Sequence, residues 1–101
     1  MSDTDVLGTL TISDFSPHVG EKFRLEVDSS LSVEVELMEA DELLSGTEKR
    51  TPFSIVMRGP EDLVLEQRIY SVHCGALGKL HLFLVTVGPD KQGMLYEAVF
   101  T

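Results

Sequence analysis

An all-β fold is what this sequence predicts: a compact, mainly antiparallel barrel or sandwich of six to seven strands. Three observations lead there. Apolar and polar residues alternate with period two in several separate segments, the signature of half-buried strands. Turn signals rich in Gly, Pro, Asp and Ser separate those segments at intervals of about 8–12 residues. No stretch of useful length carries the 3.6-residue periodicity of an amphipathic helix, and no βαβ alternation is present.

At 101 residues the chain reads as one domain spanning 1–101, with residues 1–20 forming a partly irregular N-terminal arm. Residues 1–10 turn from polar to apolar at Val6-Leu7 and read as a short strand or a loose arm. Thr11-Ile12-Ser13-Asp14-Phe15 predicts a single helical turn, with Thr11 as cap and Asp14 three residues on. Pro17 and Gly20 stop it, and Phe15 and Val19 are expected to point into the core.

Strands follow. In Glu21 to Asp28, Phe23, Leu25 and Val27 share one face, and Lys22, Arg24, Glu26 and Asp28 the other. Asp28-Ser29-Ser30 is a turn. From Leu31 to Glu39 the pattern repeats, with Leu31, Val33, Val35 and Leu37 inward and Ser32, Glu34, Glu36 and Met38 outward. These two segments predict a hairpin with a charged outer face. The connection Ala40 to Thr51 reads as a helical turn around Asp41–Leu44 or as a charged loop. Phe53 to Arg58 is a third strand, with Phe53, Ile55 and Met57 on one face, followed by the turn Gly59-Pro60-Glu61-Asp62.

Leu63 to Val87 carries the clearest signal, two strands folded back through Gly75-Ala76-Leu77-Gly78. A two-residue turn at Ala76-Leu77 would set Cys74 opposite Lys79, His73 opposite Leu80 and Val72 opposite His81. Leu82, Phe83, Leu84 and Val85 are apolar on both faces, which predicts a strand covered twice: by the core, and by either the N-terminal arm or a partner. After the Gly88–Gly93 turn, Met94 to Thr101 closes the chain as a two-faced strand, with Tyr96, Ala98 and Phe100 on one face and Leu95 and Val99 on the other, its second face covered in the same way. Leu82, Phe83, Leu84, Val85, Tyr96 and Phe100 are therefore the candidate interaction surface. Tyr70, His73 and Tyr96 are the candidate lining of a ligand pocket at a barrel mouth.

Charge and motifs narrow the function. The net charge is −9, and residues 1–50 hold 12 of the 17 acids against 4 of the 8 bases. That sign repels phosphate backbones and anionic lipid, so neither nucleic acid nor membrane is an expected partner. A single cysteine, Cys74, excludes an internal disulfide and suits a reducing compartment. With no basic n-region and no long apolar run, a cytoplasmic location is expected. His73, Cys74 and His81 are the only clustered metal-ligand types, but the expected register splits them between faces, so no metal or cofactor is expected. Glu34 and Glu36 resemble an acid pair, yet alternation alone accounts for them as a solvated face. None of the common phosphate-loop, nucleophile-elbow, zincin or EF-hand motifs occurs. The chain reads as a non-enzymatic interaction or structural module, acting on a protein partner or by self-association. The alternative is a small-ligand-binding barrel, and a weaker third reading is a hydrolase using Cys74 or an acid pair.

Several features together resemble a family of small bacterial proteins classed as a domain of unknown function. They are Asp14-Phe15 with Val19-Gly20-Glu21-Lys22-Phe23, Pro52-Phe53-Ser54 leading to Arg58-Gly59-Pro60, and Gln67, Tyr70 and His73. Leu77-Gly78, Leu82-Phe83-Leu84-Val85 with Gly88-Pro89, and Tyr96-Glu97-Ala98-Val99-Phe100 complete the set. The resemblance covers about Thr11 to Thr101. It implies no activity and no functional residues. Its association with phage-tail-like genes implies at most a small β module in a larger assembly, which adds a phage-like particle as an alternative location.

Overall fold

The computed structural model describes residues 10–43 and 52–100, so the segments at 1–9 and 44–51, on which the N-terminal strand or arm and most of the charged connection were expected, lie outside the described residues. Six strands form: β1 (Lys22–Glu26), β2 (Ser32–Glu42), β3 (Phe53–Gly59), β4 (Arg68–His73), β5 (Lys79–Pro89) and β6 (Met94–Phe100). They close into a barrel in the order β1-β2-β3-β6-β5-β4, every neighbouring pair antiparallel. Closure removes the sheet edges that an open sandwich would leave to be protected.

Period-two alternation builds the interior. Phe23 and Leu25 of β1, Val35 and Leu37 of β2, and Phe53, Ile55 and Met57 of β3 are buried. So are Tyr70 and Val72 of β4, Leu80, Leu82 and Leu84 of β5, and Tyr96, Ala98 and Phe100 of β6. Each large aliphatic or aromatic side chain withdrawn from water in this way contributes about 1.5–3 kcal/mol. Two bulges adjust the closure: one between Leu37 and Glu39 against β3, the other between Thr86 and Gly88 against β6.

A short helix, α1 (Ile12–Phe15), forms at the start. The Asp14 carboxylate accepts a hydrogen bond from the Thr11 N–H at 2.7 Å, the capping arrangement the sequence suggests. Phe15 is fully buried against Phe53 and Phe100, with ring centroids 5.8 and 5.3 Å away, and those two rings stack at 4.6 Å. The turn after β1 is held by Asp28, whose Oδ1 accepts from the N–H groups of Ser30 and Leu31 at 2.8 and 2.9 Å.

Four expectations are corrected. Val19 does not enter the core but is exposed, because the 3₁₀ turn Ser16–His18 carries the chain outward after Phe15. Leu31 is also exposed, since it belongs to the turn and not to the alternating part of β2. Asp41 and Glu42 extend β2 as strand and do not start a helical turn. Leu63 to Gln67 is not strand: β4 begins at Arg68. That segment instead inserts Leu65 into the core, held by hydroxyl groups. The Leu65 N–H donates to Tyr96 Oη at 2.9 Å, and Thr86 Oγ1 donates to the Leu65 carbonyl at 3.2 Å. Tyr96 donates to the Leu63 carbonyl at 3.2 Å, and Tyr70 to the Glu66 carbonyl at 2.7 Å.

Candidate functional site: the outer face of the barrel

The β4–β5 connection decides which side chains face outward together. Gly75–Leu77 forms a 3₁₀ turn, with the Cys74 N–H bonded to the Gly78 carbonyl at 2.8 Å. Gly78 has φ 80°, a backbone region that favours glycine. The loop is therefore longer than the two-residue turn the sequence suggests. His73 pairs with Lys79, Val72 with Leu80 and Ser71 with His81, one residue away from the expected register. A slip of one residue exchanges the faces on which cross-strand partners meet. His73 and His81 therefore share the outer face, while Cys74 alone points inward.

Cys74 is fully buried, and burial pushes its thiol up to about 12. A thiol with that pKa is neutral at physiological pH and lacks the stabilised thiolate that a nucleophilic cysteine needs. Glu34 and Glu36 point outward, Glu34 toward Lys22 at 3.5 Å and Glu36 toward Arg58 at 3.5 Å. Arg58 also donates to Asp90 at 3.0 Å. Among the described residues, no group of three or more His, Cys, Asp and Glu side chains is placed to hold a metal ion.

Of the candidate pocket, Tyr70 and Tyr96 point into the barrel and His73 points out, so the three do not line one cavity. The reason is parity: Tyr70 and His73 lie three residues apart on one strand, which places them on opposite faces. His73 Nε2 hydrogen-bonds to Glu26 Oε2, and Lys79 Nζ lies 3.6 Å from the same oxygen. The His73 hydrogen bond, helped by the Lys79 charge, holds the Glu26 carboxyl below its ordinary value. Beside this cluster lies an open groove of 280 Å³ whose lining includes Arg24, Glu26, Asp28, Leu31, Ser32 and His73.

Of the candidate interaction surface, Leu82, Leu84, Tyr96 and Phe100 are core side chains and present nothing to solvent. Phe83 and Val85 do face outward. Two residues outside the expected set join them: Ile69, which sequence reasoning missed, and Val99, on the second face of the two-faced last strand. Ile69 pairs directly with Phe83 across β4 and β5, and Val99 stands on the outer face of neighbouring β6. Ile69, Phe83 and Val99 are 62%, 49% and 53% exposed. The signal was present in the alternation of β6 and in Ile69 itself, but only the correct hairpin register sets Ile69 opposite Phe83.

The molecule is thus a small closed antiparallel barrel with a filled interior and an apolar row on its outer wall. Its sequence matches the family described as domain of unknown function DUF6916 over residues 10–100, and the chain belongs to that family. No curated protein and no solved structure matches it.

Proposed function

We propose that the barrel is a non-enzymatic protein-interaction or structural module that docks through the outer face of β4, β5 and β6. The observation that supports this is the grouping of Ile69, Phe83 and Val99, three half-exposed large apolar side chains on adjacent strands of one wall. Single exposed apolar residues are ordinary on soluble proteins, whereas a group on one face favours an interaction site. Covering such side chains supplies affinity, about 1.5–3 kcal/mol for each one fully withdrawn from water. The family resemblance suggests a phage-tail-like assembly as the first setting in which to seek the partner. A small-ligand reading would have to use the outer groove around Arg24 and His73, since Tyr70 and Tyr96 are committed to the core.

The test is affinity capture of the tagged protein from its native host, run beside the double variant Ile69→Asp/Phe83→Asp. The expected result is a structural protein recovered in stoichiometric amount with the unaltered chain and lost with the variant, while both chains melt alike. Equal recovery with both chains, or recovery of the bait alone, refutes the proposal.

A further inference from the structure

The outer wall that carries the apolar row also carries carboxylates with an unusual property. Reading across the strands, Glu39 of β2 pairs with Val56 of β3, Val56 with Glu97 of β6, and Glu97 with Val85 of β5. The next row runs from Asp41 through Ser54 to Val99. Glu39, Glu97 and Asp41 therefore stand on the same face as Val85, Val99 and Phe83, interleaved with or beside them.

None of these three carboxylates has a cationic partner among the described residues, and the contrast with the rest of the barrel is clear. Glu26 meets His73 and Lys79, Glu34 meets Lys22, and Glu36 shares Arg58 with Asp90. Outward-facing strand acids elsewhere are neutralised by a neighbour. Those on the apolar wall have no such neighbour among the described residues. Arg58, two residues along β3 from Val56, is already engaged by two carboxylates. Three acids beside exposed apolar groups, without a cationic partner among the described residues and in a chain of net charge −9, favour a partner of opposite sign and disfavour a second copy of the same acidic face.

Resting on the interaction-module reading above, we infer that this wall receives a cationic amphipathic segment of a partner protein. Its apolar side chains cover Ile69, Phe83 and Val99, and its lysines or arginines meet Glu39, Asp41 and Glu97. From β2 to β4 across this wall there are four inter-strand steps of about 4.8 Å, roughly 19 Å in all. That is the length of about 13 residues of helix. The apolar groups supply affinity; the carboxylates supply orientation and exclude acidic partners.

The experiment titrates the intact protein with a synthetic Leu/Lys amphipathic peptide, using the Leu/Glu peptide of the same pattern as control. Three variants are compared: Phe83→Ser, the triple Glu39→Gln/Asp41→Asn/Glu97→Gln, and the control Glu61→Gln/Asp62→Asn on the β3–β4 connection. The expected result is binding of the Leu/Lys peptide alone. Affinity should fall by about tenfold in the triple variant, with a weaker salt dependence, and fall also in Phe83→Ser, but stay unchanged in the control. Binding that depends on Phe83 but not on the three carboxylates overturns the cationic partner and leaves the interaction face standing. Binding indifferent to Phe83 and to the carboxylates, or reduced equally by the control, overturns both. A concentration-dependent dimer abolished by Phe83→Ser places a second copy on this wall and overturns the cationic partner.

Discussion

Replacing Tyr96 by Phe tests how the Leu63–Gln67 segment is held. Tyr96 is buried at 1% exposure, and its hydroxyl accepts from the Leu65 N–H at 2.9 Å while donating to the Leu63 carbonyl at 3.2 Å. The substitution keeps the ring and removes one oxygen. A typical hydrogen bond contributes about 1 kcal/mol net, and a buried donor left without an acceptor costs about 1–3 kcal/mol. With Leu65 itself 5% exposed, water has little access to repair the loss, so a destabilisation of about 2 kcal/mol is expected. For a domain of this size that corresponds to a fall in Tm of roughly 8–16 °C. Urea unfolding followed by circular dichroism should show a lower midpoint at unchanged m-value, because the surface exposed on unfolding is the same. Hydrogen exchange of the Leu65 amide should accelerate beyond the global change, since the bond lost is its own. A destabilisation below about 0.5 kcal/mol, with Leu65 protection intact, would refute the view that this hydroxyl anchors the segment.

Three further outcomes follow from the same geometry. Phe15→Ala removes the ring that closes the cluster with Phe53 and Phe100, and should cost about 3–5 kcal/mol by chemical denaturation. Glu26→Gln tests the link between β1, β4 and β5. Because the folded-state pKa of Glu26 is depressed below 4.5, its carboxylate stabilises the fold above the unfolded value, and this contribution disappears as pH falls through the folded pKa. The variant should be less stable than the unaltered protein at pH 7 and equal to it at strongly acidic pH; a constant difference across the range would contradict the assignment. Cys74, raised to about 12, should react slowly with iodoacetamide at pH 8 in the folded protein and at an ordinary thiol rate in urea. The raised value also means that stability declines as pH rises above the unfolded thiol pKa, where only the unfolded chain ionises.

Much of the fold was legible because a strand writes its faces into the sequence one residue at a time. Phe23 and Leu25, Phe53, Ile55 and Met57, and Tyr96, Ala98 and Phe100 are inward as alternation requires. Local chemistry also marked its own turns: Asp28 before two serines, and Asp90 before Gln92 and Gly93, each accept backbone N–H bonds from the residues just ahead. Asp14 caps α1 three residues from Thr11 for the same local reason. The candidate site was less legible. Leu82 and Leu84 look like surface when the whole run is apolar, yet alternation alone would have separated them from Phe83 and Val85.

That strands form, which of their residues share a face, where turns break them and that the chain is strongly acidic can all be read from local sequence. Those properties depend on residues within a few positions of one another. Closure of six strands into a barrel, the departure of Leu65 from strand geometry to meet the Tyr96 and Thr86 hydroxyls, and the placing of Ile69 opposite Phe83 depended instead on contacts between distant parts of the chain. The last of these turned on one residue of loop length, because the 3₁₀ turn at Gly75–Leu77 shifts every pair in the hairpin by one. Which carboxylates find a cation was likewise beyond local reach. Glu26 is hydrogen-bonded to His73 across 47 positions of chain, whereas Glu97 pairs across the strands with Val56 and Val85, since partners in a barrel are chosen by strand order and register and not by distance along the sequence.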